Sequence, residues 1–88
     1  MKDFFARTFR GHQFEFKRVL SSSFDTWYHI SVTLDKVNIK YRMHNDKEGT
    51  WKITIKRLPP LLYSLEGEFN DLIKLNEKPE DPNRFRHV

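Results

Sequence analysis

Eighty-eight residues without a cysteine make one domain at most and exclude both a disulfide framework and a thiolate zinc site. The chain carries 16 Lys and Arg against 12 Asp and Glu, a net +4 that is unevenly spread: residues 1–26 hold five bases and three acids, residues 27–58 seven and three, and residues 59–88 four and six. No run reaches the ~20 apolar residues of a membrane span, and the start lacks the uninterrupted apolar stretch of a secretory signal, so a soluble, cytoplasmic protein with no membrane partner is expected.

Residues 1–11 place Phe4, Phe5 and Phe9 among Lys2, Arg7 and Arg10. Their spacing of four and five predicts one or two helical turns with an apolar side. Such a segment serves either as a flap over one end of the core or as a basic-aromatic anchor for a membrane or a partner. Gly11 ends it. Over residues 12–20, Phe14 and Phe16 alternate with Gln13, Glu15 and Lys17, which predicts a first strand. The serines 21–23 break it.

From Tyr28 the alternation becomes regular. Tyr28, Ile30, Val32 and Leu34 are set against His29, Ser31 and Thr33; Val37, Ile39, Tyr41 and Met43 against Asn38, Lys40, Arg42 and His44; Trp51, Ile53 and Ile55 against Lys52, Thr54 and Lys56. Side chains of a strand point alternately to opposite faces, so three strands here share one apolar and one polar face. Asp35-Lys36 reads as a tight turn, and residues 45–49, ending in Gly49, as a longer one. Slipping any strand by one residue would move its apolar set into water, which fixes the register. The polar face then carries Lys40, Arg42, Lys52 and Lys56, while the region's acids, Asp35, Asp46 and Glu48, fall in the turns.

Pro59-Pro60 ends the sheet and opens a helix. Leu58, Leu61, Leu62, Leu65, Phe69, Leu72 and Ile73 lie within about 60° of one direction on a helical wheel, so one amphipathic helix is expected over residues 60–75, covering the apolar sheet face. Gly67 falls on the opposite side, flanked by Tyr63, Asn70 and Lys74. A mid-helix glycine costs roughly 0.5–1 kcal/mol relative to alanine; close approach of a partner's backbone would account for it, and so would a glycine simply tolerated on an exposed face. Residues 77–88 are polar and proline-bearing and are expected to form a disordered tail. The fold expected is therefore α+β: a four-stranded antiparallel meander over residues 12–76 with one C-terminal helix (ββββα).

The chemistry tests are negative. His12, His29, His44 and His87 form no H-x-x-x-H pair, no phosphate-cradling glycine loop is present, and Glu66 and Glu68 lie about 160° apart on the helix. No catalytic residue, metal or small-molecule cofactor is expected, and the chain reads as a non-enzymatic binding module.

Anion recognition remains. Proteins that hold single-stranded nucleic acid combine a cationic track with aromatic platforms. Lys40, Arg42, Lys52 and Lys56 would supply the charge, with Arg57 at the rim, and Trp27, out of phase with Tyr28, would supply the platform. The partner expected is single-stranded nucleic acid or another polyanion. The alternative is a structural or protein-interaction module acting as a homodimer, through a sheet edge or through the Tyr63–Gly67–Asn70 side of the helix. Over residues 12–75, four strands followed by a helix resembles in topology the repeat units of the PUR, Whirly and transcriptional-coactivator groups. That resemblance implies single-stranded nucleic acid binding and pairing of units, and carries over no individual residue.

Overall fold

The computed structural model describes residues 1–22 and 25–78. Five strands form one antiparallel sheet in sequential order: β1 (Phe4–Phe9), β2 (His12–Leu20), β3 (Thr26–Leu34), β4 (Val37–Asn45) and β5 (Trp51–Ile53). Two helical segments follow, α1 (Pro60–Ser64) and α2 (Glu66–Glu77).

The sheet has one strand more than the four expected. Phe4–Phe9 is not helical; it pairs with β2, Phe5 opposite Phe16 and Arg7 opposite Phe14. Phe5 and Phe9 are four residues apart, a spacing that puts two side chains on one face of a helix and equally on one face of a strand. Tertiary pairing decides between them. Arg10 (φ 52°) and Gly11 (φ 79°) close the β1–β2 hairpin with two consecutive positive φ angles, the geometry that suits the twist of paired strands. Asp35 and Lys36 (φ 47° and 66°) close β3–β4 in the same way without a glycine.

The expected parity holds through the sheet's centre. Phe5, Phe14, Phe16, Tyr28, Ile30, Val32, Tyr41, Met43 and Trp51 are buried on one face, and Leu62, Phe69 and Ile73 of the helical segments, with Leu65 between the two segments, close over them. Phe69 is the hub: its ring lies 5.1–5.8 Å from those of Phe9, Phe14 and Phe16. Two expected core members lie outside it. Val37, at the tip of the β3–β4 hairpin, is 59% exposed, and Ile55 is 48% exposed because the chain leaves the sheet after Ile53.

The expected single helix is two. Ser64 donates its hydroxyl hydrogen to the Leu61 carbonyl at 2.6 Å, competing for the acceptor that the Leu65 N–H also uses at 3.2 Å. Such back-bonding loosens a helix, and the regular helix is interrupted at Leu65 (φ −96°, ψ −2°), which stands between the two segments. Helix α2 extends through Glu77, two residues past the expected end. Residues 79–88, most of the expected tail, lie outside the described residues.

Candidate functional site

On the open face the register sets the polar side chains in rows across the strands. Val19, Trp27, His44 and Lys52 form one row; Lys17, His29 and Arg42 the next; Glu15, Ser31 and Lys40 the third. Lys17 enters this face from β2, a cation that sequence reasoning did not place there because the pairing of the first strand was open. His29 and His44 stand among the cations as expected. Glu15 is the acid these rows carry.

The cations differ in what holds them. Among the described residues Lys17, Lys40 and Arg42 make no ion pair, whereas Lys52 lies 3.8 Å from Asp46 of the β4–β5 turn. Lys56 is exposed but follows the end of β5, outside the strand rows. The expected quartet is therefore brought together as Lys40, Arg42 and Lys52, with Lys17 joining and Lys56 apart. Arg57 is exposed in the same loop.

Trp27 is half-buried, and its ring is already in use. The Arg42 guanidinium carbon sits 5.2 Å above the ring centroid, and the His44 ring stacks beside it at 5.8 Å. Trp27 thus acts less as an open platform than as the ring over which the Arg42 cation is held. A cation over an aromatic face is held without using up its N–H edge, which stays free for an oxyanion.

A cleft of about 190 Å³ opens beside this group, lined by His29, Lys40, Tyr41, Arg42, Thr54 and Ile55. It exists because β5 is short. The Thr54 N–H still reaches the Arg42 carbonyl at 3.4 Å, and beyond it β4 has no neighbour. Strand alternation turns the backbone N–H of Lys40 toward that gap. A larger cleft, about 630 Å³, lies past Trp27 and His44, but Asp25 and Glu77 contribute to its walls, so it does not extend the cationic surface.

The helix side expected as an interface is occupied. Asn70 Oδ1 accepts the Trp51 N–H at 2.7 Å and Glu66 Oε2 accepts the Ile53 N–H at 2.8 Å. One turn of α2 thereby supplies the acceptors that a sixth strand would have offered. The Tyr63 hydroxyl donates to the Ile55 carbonyl at 2.5 Å and accepts the Leu58 N–H at 3.2 Å, pinning the loop after β5. Gly67 is exposed, with open space where a Cβ would stand.

Among the described residues no group of three His, Asp or Glu is placed to hold a metal ion, and no helix is long and apolar enough to cross a membrane. Comparison with protein-family models, curated proteins and solved structures finds no match for this chain. The four-strand, one-helix order behind the topological resemblance is itself replaced by five strands and two helical segments.

Proposed function

We propose that this domain is a non-enzymatic binding module whose open sheet face docks single-stranded nucleic acid. The observation that carries the reading is the Arg42 guanidinium laid on Trp27 at the mouth of a cleft bounded by His29 and Lys40, with no carboxylate paired to Arg42 or Lys40 among the described residues. Lys17 and Lys52 flank it along the rows, so a phosphodiester chain crossing the strands meets a cation at successive positions. An unstacked base has room in the cleft against Arg42, where guanidinium–base stacking and phosphate contact come from the same residue.

The test is fluorescence anisotropy of a labelled oligothymidylate against salt concentration, with a duplex of equal length in parallel. Micromolar binding is expected at low salt, with log K falling against log[salt] at a slope of about −2 to −3, since each neutralised phosphate on a single strand contributes roughly −0.7. Arg42→Ala should weaken binding most and Lys56→Ala least. Salt-independent binding, or none at low salt, removes the proposal; preference for the duplex would shift it from base to backbone recognition.

A further inference from the structure

The two edges of the sheet are finished differently. The β5 edge is closed by Asn70 and Glu66. At the other edge the Arg18 N–H donates to the Asp3 carbonyl at 2.8 Å, which fixes the phase of β1: its odd residues bond to β2, and the backbone groups of Phe4, Ala6 and Thr8 point away from the sheet. Among the described residues the one contact to these groups is local, from Arg7 Nη1 to the Ala6 carbonyl at 3.0 Å. Apolar surface flanks the strand on both sides. Phe4 is 58% exposed on the open face; on the helix side a cleft of about 140 Å³ is lined by Lys2, Phe5, Arg7, Leu72, Leu75 and Asn76, with Leu75 68% exposed.

We propose that β1 pairs antiparallel with β1 of a second copy of this chain, about a two-fold axis through Ala6 and normal to the sheet. The strand is self-complementary about that point. Ala6 would face the partner's Ala6, and Phe4 the partner's Thr8, so all three outward-turned residues find backbone donors and acceptors in hydrogen-bonded pairs. On the helix side Phe5 falls opposite the partner's Arg7, and Asp3 lies diagonal to the same guanidinium. The Asp3 side chain is 88% exposed and only 4.0 Å from Arg18, so it is available to a second cation. An axis through Arg7 would set two guanidiniums against each other and oppose groups already bonded to β2. Leu75, on the helix side, comes beside the partner's inner row. An unrelated strand would find the backbone edge but not this matched acid and base, which is why a second copy is the occupant chosen. Phe4, Ala6 and Thr8 meet their partners on the open face, but Lys17, Lys40, Arg42 and Lys52 lie on other strands, so the assembly is tested independently of nucleic acid binding.

Light scattering on a size-exclusion column, over a concentration series and without nucleic acid, tests the pairing. The wild-type chain should approach twice its 10.7 kDa mass. Ala6→Pro removes an N–H that the monomer fold does not use, and proline is tolerated on an edge strand, so this variant should elute as a folded monomer. Should Ala6→Pro disturb folding, charge exchange supplies the independent arm: Asp3→Arg and Arg7→Asp each weaken the dimer, and the double variant restores it. A wild-type chain that stays monomeric, a dimer that survives Ala6→Pro, or a double variant that fails to recover overturns the proposal.

Discussion

Tyr28 donates its hydroxyl hydrogen to Oε2 of Glu77 across 2.5 Å, tying the third residue of β3 to the last residue of α2. The same carboxylate accepts Arg18 Nε at 2.7 Å, and Asn76 Nδ2 donates to the Tyr28 hydroxyl at 2.7 Å and to the Lys2 carbonyl at 2.9 Å. One end of the helix is thereby joined to β2, β3 and the N-terminal segment. Tyr28→Phe strips Glu77 of a donor in a half-buried setting and is expected to cost about 1–3 kcal/mol. Urea unfolding should show a lower midpoint with an unchanged slope.

Tyr41 presents the opposite case. Its hydroxyl is buried with no hydrogen-bond partner among the described residues. An unsatisfied buried polar atom carries its desolvation cost with no return, so Tyr41→Phe should be neutral to stabilising by about 1 kcal/mol. The two tyrosines face the same core from neighbouring strands, and urea midpoints moving in opposite directions would separate hydrogen bonding from ring packing.

Both phenols are held above the ordinary tyrosine range, Tyr28 by burial and then by its bond to Glu77, Tyr41 by burial alone. A raised folded pKa means stability that is complete below the unfolded value and is lost as pH rises. Unfolding free energy should therefore fall once pH passes about 10, where only the unfolded chain releases these protons. The fall should be shallower in Tyr41→Phe. A stability curve flat from pH 9 to 11 (roughly one unit either side of the free phenol) would contradict the burial of both hydroxyls.

The parity of residues 28–53 was legible in the sequence because one face is dry and the other wet, and every second residue records the difference. Residues 4–9 were not, because Phe5 and Phe9 satisfy both periods and Arg7 occupies the inner row at an open edge, where a charge costs little. Alternation already sets Lys17 opposite Phe14 and Phe16, but its place in the row of His29 and Arg42 depends on which strands β2 pairs with and in what register, which its own residues do not carry. Asn70 fell on the polar side of the helical wheel, where its role as acceptor for β5 leaves no trace in hydrophobic spacing. Trp27 was assigned to the correct face, but that Arg42 would cover its ring follows from a diagonal contact across β3 and β4 that neither residue's own strand reveals.

Asn70 and Glu66 close the β5 edge with two side-chain acceptors spaced one helical turn apart, matched to N–H groups two residues apart on the strand. Asn70→Ala leaves the Trp51 N–H without its partner and should cost about 1 kcal/mol or somewhat more. The local effect is more diagnostic than the global one. Amide exchange at Trp51 should accelerate in Asn70→Ala and at Ile53 in Glu66→Ala, while amides of β2 and β3 keep their protection.

Asp46 links a turn to the cationic face. Its Oδ1 accepts the Glu48 N–H at 2.8 Å and the Thr50 N–H at 2.9 Å, and Oδ2 lies 3.8 Å from Lys52. The Thr50 and Glu48 donors, with Lys52, hold this carboxyl below its usual range. A depressed folded pKa contributes stability above the unfolded value and loses it as pH falls through the folded one, so the turn should loosen in acid, starting where free aspartate takes up its proton and finishing once the folded carboxyl has done so. Asp46→Asn keeps the acceptor oxygen for both backbone N–H groups but releases Lys52 from its counter-charge. If Lys52 contributes to the docking of nucleic acid, this substitution should tighten oligothymidylate binding roughly twofold at low salt, the scale of an exposed ion pair. The same gain should vanish in the Asp46→Asn, Lys52→Ala double variant, and a gain that persists there would place the effect in the turn rather than in the lysine.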